Sequence, residues 1–123
     1  MVVDDDAFSR AIAERGLGKL GFTECHVAAD GQQGVRILAR LERAPDLILC
    51  DIFMPNKDGI EFLDELATRR YPGQVVLITG GDGLMLDVAH QLATAGGLQV
   101  VAKLTKPLDL DLLANALGLS YAI

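Results

Sequence analysis

The chain has 123 residues, half of them apolar and 23% charged, which fits one globular domain with a real core and excludes a disordered chain. Eleven Lys and Arg against 17 Asp and Glu leave a net charge of −6, and Trp is absent, so neither a grip on a phosphate backbone nor base stacking is expected of this domain. No apolar run approaches the roughly 18 residues of a membrane span and no basic-plus-apolar leader is apparent, so no membrane contact and a cytoplasmic setting are expected.

Short apolar runs, read as buried parallel strands, alternate with segments of helical spacing. Val2–Val3 runs into Asp4, and Phe8, Ala11 and Ile12 then share a helix face. Cys25 to Ala29 reads as the second strand, followed by a helix with Gly34, Ile37, Leu38 and Leu41 on one side. Leu47 to Cys50 runs into Asp51, and Ile60, Leu63, Leu66 and Ala67 give the third helix. Val75 to Ile78 runs into Thr79, with Met85, Val88, Ala89 and Leu92 behind it. Val100 to Leu104 runs toward Lys106, and Leu110, Leu113, Ala114 and Leu117 form the last face. Gly and Pro punctuate the joins, as at Pro72–Gly73, Gly80–Gly81 and Pro107. Cys25 and Cys50 lack metal-type spacing and read as buried, reduced thiols.

The pattern predicts a single α/β domain over residues 1–123, a (βα)5 doubly wound parallel sheet of the flavodoxin-like order 2-1-3-4-5. Only three residues precede Asp4, whereas a mean strand has about five to six. The first strand is therefore expected to be unusually short or the remainder of a longer one.

Ligands of such sheets bind beyond the carboxyl ends of the strands, where the strand order reverses. Strand 1 ends in Asp4, Asp5 and Asp6, and strand 3 in Asp51; strand 4 ends in Thr79, and Lys106 follows strand 5. Clustered carboxylates repel unless a cation joins them, and a hard divalent ion with oxygen ligands, Mg²⁺ above all, suits such a set. A hydroxyl and an amine beside it complete the equipment for phosphoryl transfer to an aspartate. Asp6 reads as a helix cap.

Four stretches resemble the signature blocks of response regulator receiver domains, the CheY-like family of two-component signal transduction. They are Val2-Val3-Asp4-Asp5-Asp6, Pro45 to Pro55 with Asp58–Gly59, Val76-Leu77-Ile78-Thr79-Gly80, and Leu104-Thr105-Lys106-Pro107. The resemblance implies that Asp51 accepts a phosphoryl group from a sensor histidine kinase or phosphotransfer protein. It implies Mg²⁺ held by Asp4, Asp5 and Asp51 with the backbone carbonyl of Phe53, Asp5 being the more direct ligand of the first pair. Thr79 and Lys106 would meet the phosphoryl group, and the peptide before Pro107 is usually cis. It further implies regulation of an output domain in a longer parent chain or of a partner, with a possible homodimer through the helix 4–strand 5–helix 5 face. Such a domain assists only its own phosphorylation and dephosphorylation and is not a turnover enzyme.

Two features depart from the family pattern. Lys103 stands where a Tyr or Phe switch is usual, and the segment from Gly80 to Gly97 is long and glycine-rich. Lys103 leaves room for an alternative, a degenerate receiver that binds proteins without phosphorylation. An aspartate-based phosphatase would need a second acid where Phe53 stands. Phe53 and Gly81 offer no polar side chain to guide water, so slow loss of the phosphoryl group is expected.

Overall fold

The computed structural model describes residues 1–54, 59–81 and 83–119. Pro55, Asp58 and Asp82, part of the sequence motifs, lie outside them. In chain order the elements are β1 (Val2–Val3), α1 (Ala7–Lys19), β2 (Val27–Ala28), α2 (Gly31–Arg40) and β3 (Leu47–Asp51), then α3 (Gly59–Thr68), β4 (Gln74–Thr79), α4 (Gly83–Ala95), β5 (Gln99–Thr105) and α5 (Leu110–Leu117). The strands form one parallel sheet in the order β2-β1-β3-β4-β5, the expected doubly wound arrangement.

Alternation along the central strands divides the core into two layers. Ile48 and Cys50 of β3 and Val75 and Leu77 of β4 join Phe62, Leu66, Leu86 and Ala89 on the side of α2, α3 and α4. Leu47 and Leu49, with Val76 and Ile78, join Ala13, Leu17 and Leu113 on the side of α1 and α5. Burial on both faces explains why β3 and β4 are nearly continuous apolar runs. Close approach fixes two helices. A Cβ at Gly34 would sit 2.8 Å from the Phe62 ring, and one at Gly59 would sit 2.5 Å from the Asp51 carbonyl oxygen.

Several strand and helix-face expectations need correction. Strand β2 is two residues long, not five, because its only neighbour, β1, offers two residues to pair: Val2 with Val27 and Val3 with Ala28. Cys25 and His26 precede the strand and are half-buried, and Val27 is exposed on this sheet edge. Cys25 is thus only partly buried, whereas Cys50 is buried; neither forms a disulfide. The buried face of α1 is Ala13, Gly16 and Leu17, and Phe8 is 73% exposed. Apolar residues occur on two sides of α1, and α5 selects the side of Gly16, where Leu110 packs closely. Helix α4 buries Leu86, Ala89 and Ala93, while Leu84, Val88 and Leu92 face outward at i, i+4 spacing. The small Ala89 and Ala93 permit the close packing, so the larger residues are left outside. Strand β5, at the other edge, has only half-buried Val100, Val101 and Ala102, and Lys103 is exposed.

Candidate phosphoacceptor site

Register brings the site together. Val3 pairs with Cys50, so Asp4 and Asp51 leave neighbouring strands at the same height. Asp51 pairs with Ile78, and Thr79, one residue on, pairs with Thr105. The Lys106 amide donates to the Thr79 carbonyl at 2.8 Å, which seats Lys106 just past the sheet. The Lys106–Pro107 peptide is cis.

Ligand atoms of Asp4, Asp5 and Asp51 all lie within 4.8 Å of one another. Asp4 and Asp51 are buried and Asp5 is exposed. Lys106 Nζ lies 2.9 Å from Asp4 Oδ2, 3.2 Å from Asp4 Oδ1 and 3.0 Å from Asp51 Oδ2. One ammonium thus serves two buried carboxylates. The second oxygen of Asp51 accepts the Phe53 amide at 2.9 Å. Burial pushes the Asp51 carboxyl above its ordinary range, against the Phe53 amide and Lys106, which pull it down. Burial alone would lower Lys106, but its bonds to Asp4 and Asp51 prevail and raise it.

Thr79 is fully buried, and its Oγ1 accepts the Gly81 amide at 3.2 Å. The hydroxyl is therefore engaged with its own loop, at the end of the strand next to the one that carries Asp51. The Phe53 side chain is 47% exposed and lies near Gly81. Asp6 caps α1 as expected, accepting from the Ser9 amide at 3.0 Å and hydroxyl at 2.7 Å. Those bonds draw its carboxyl below the usual range. Lys103 pairs with Asp87 of α4 at 2.9 Å, both side chains being well exposed.

Two features escaped the sequence reading. Arg10 Nη1 donates to the Asp4 carbonyl at 2.8 Å. Nothing in the pattern marks this arginine except its place on the first turn after the acids. Beside Lys106 an apolar crevice of about 310 Å³ opens between Phe8, Ile12, Ile78 and Leu108.

An all-carboxylate set this close suits a hard dication. With Lys106 and a threonine beside it, the same set suits the capture of a phosphoryl group by positioning and charge neutralisation.

Residues 1–117 match the response regulator receiver domain family. The chain is 34% identical over 106 residues to a probable chemotaxis protein CheY of Rhizobium etli, covering 84% of this chain and 78% of that protein. It is 32% identical over 122 residues to the transcriptional regulatory protein PdtaR of Mycobacterium tuberculosis, covering 99% of this chain and 56% of that protein. Against the DNA-binding transcriptional regulator NtrC of Escherichia coli it is 34% identical over 110 residues, 89% of this chain but 22% of NtrC. Among solved structures, a response regulator from Colwellia psychrerythraea superposes with a TM-score of 0.78 at 29% identity, covering 95% of this chain and 90% of that one.

Proposed function

The chain belongs to the response regulator receiver family, and on that premise we propose that it is a phosphorylation switch whose acceptor is Asp51. The observation that carries the reading is the closeness of Asp4, Asp5 and Asp51, with Lys106 shared between two of them. The donor is a phosphohistidine on a sensor kinase or phosphotransfer protein. An Asp51 carboxylate oxygen attacks phosphorus in line; the P–N bond breaks, and its electron pair stays on the imidazole. Asp4, Asp5 and Asp51, with the Phe53 carbonyl, would hold Mg²⁺, which when bound would supply neutralisation of the charge on the carboxylates and the phosphoryl group. Lys106 is already within hydrogen-bond reach of Asp51 and neutralises one phosphoryl oxygen. Thr79, whose oxygen accepts the Gly81 amide, donates its O–H to another phosphoryl oxygen, and the β4–α4 loop moves with it.

Residues 1–123 act as one receiver unit in the cytoplasm. The greater length of PdtaR and NtrC supports an output domain or a separate partner as the recipient of the switch. The outward Leu84, Val88 and Leu92 of α4, beside the Asp87–Lys103 pair, support the α4–β5–α5 side as the face it uses, including toward a second copy. The ion pair at Lys103 also favours a second reading, a phosphorylation-independent binding module, since no aromatic side chain stands there to report the switch.

The deciding experiment is intact-mass spectrometry after incubation with a small acyl-phosphate donor and Mg²⁺, beside Asp51→Asn. One added phosphate that needs Mg²⁺ and is absent from the variant supports the switch. A folded wild-type chain that gains no mass from the donor or from a phosphorylated partner leaves the binding module.

A further inference from the structure

We propose that Arg10 is a positioning residue for the metal-binding acids, acting through the backbone of Asp4; the inference rests on the phosphoacceptor reading above. Strand β1 supplies only two ladder residues, so the chain passes into α1 through a turn that the sheet does little to hold. The Asp4 amide still reaches the Ala28 carbonyl at 3.0 Å. Beyond that, the Asp4 side chain takes the Asp6 amide on Oδ1 at 2.9 Å. The Asp4 carbonyl receives Arg10 Nη1 at 2.8 Å, a short, charge-assisted bond. Arg10 is itself anchored, because its amide donates to the Asp6 carbonyl at 2.9 Å. The turn from Asp4 to Asp6 is thus clamped from both sides.

The consequence falls on Asp5. The Asp4 carbonyl and the Asp5 amide belong to one rigid peptide plane. Pinning that oxygen fixes the plane from which Asp5 departs. Asp5 is the exposed member of the three-carboxylate set, so packing holds it least. Rotation of the plane would swing its carboxylate out of the 4.8 Å cluster. Mg²⁺ demands near-ideal octahedral geometry and is sensitive to such a displacement. Arginine suits the task because its guanidinium stays charged and can donate along several directions.

Charge and position pull in opposite directions here. As a cation near the site, Arg10 repels Mg²⁺, so its loss through charge alone would tighten binding. As a clamp, its loss weakens binding. The sign of the change therefore separates the two roles.

The test is a calorimetric Mg²⁺ titration of the full chain, at low and high salt, for wild type, Arg10→Met and Arg10→Lys. It is paired with the Mg²⁺ dependence of phosphorylation by a small acyl phosphate. Arg10→Met keeps the aliphatic stem and removes every donor; if it does not fold, Arg10→Leu takes its place. Loss of a residue that orients metal ligands commonly weakens affinity by about tenfold or more. We expect roughly tenfold weaker Mg²⁺ binding, a matching rise in half-saturating Mg²⁺ and an unchanged rate at saturation. Arg10→Lys, which restores a donor, should recover most of the affinity. Binding equal to or tighter than wild type, or no recovery with lysine, overturns the role of Arg10. Failure of the wild-type chain to bind Mg²⁺ or accept phosphate overturns the underlying reading instead, and the wild-type arm shows which has failed.

Discussion

Replacing Lys106 by Met should destabilise the fold by an amount that depends on pH in a defined way. Two carboxylate side chains, 5% and 4% exposed, share an ammonium that is 21% exposed. Removing one partner of a buried charge pair typically costs 3–5 kcal/mol, because the remaining charge is left uncompensated. The residual exposure of Lys106 argues for the lower end, about 3 kcal/mol near neutral pH. With a urea m-value of about 2 kcal/mol/M for a domain of this size, the midpoint should fall by about 1.5 M. The sign with pH follows from the shifts. Lys106 is raised in the folded state, so its stabilisation is full below the ordinary lysine value of 10.5 and fades as pH rises through the folded value. Asp51 is also raised, so ionising it costs stability as pH climbs from 3.8 through its folded value. Without Lys106 that cost is larger. The gap between wild type and variant should therefore be widest near neutral pH. It should shrink in acid, as Asp51 takes up its proton, toward the value of a neutral hydrogen bond, about 1 kcal/mol. Urea melts of Mg²⁺-free protein across pH measure it directly. A gap independent of pH, or a variant more stable than wild type at neutral pH, would refute the shared-cation account.

Gly59→Ala should destabilise by about 3 kcal/mol, the upper end of overpacking, because the added carbon meets the backbone of Asp51 and Ile52, which cannot rotate away. It should also slow phosphorylation by displacing the strand end that carries Asp51; wild-type stability in urea would show that the strand–helix contact is looser than described. The phosphorylated chain should lose its phosphoryl group slowly, over hours, because the Phe53 ring and Gly81 leave no polar side chain there to orient water. Phe53→Asn should shorten the lifetime by about tenfold or more, and a wild-type lifetime of seconds, followed by mass spectrometry, would contradict the reading.

The (βα)5 architecture was legible in the sequence because its strongest signals are local. Leu47 to Asp51 and Val75 to Thr79 are buried on both faces, so burial writes itself into the chain as unbroken apolar runs. The positions of Asp51 and Thr79 were legible for the same reason, since each stands where such a run ends, while Asp4 and Lys106 were legible from the motifs around them, because β1 has two residues and β5 is a half-buried edge strand. What the sequence could not decide was set by neighbours distant in the chain. The length of β2 depends on the two residues of β1 that pair with it, and the buried side of α1 depends on Leu110 of α5 meeting Gly16. Helix α4 carries apolar residues on several sides, and only its packing buries Leu86, Ala89 and Ala93 while turning Leu84, Val88 and Leu92 outward. Arg10 shows the limit most clearly. A guanidinium reaching the carbonyl of a residue six positions earlier depends on the path of the turn between them, and side-chain periodicity carries no record of that path.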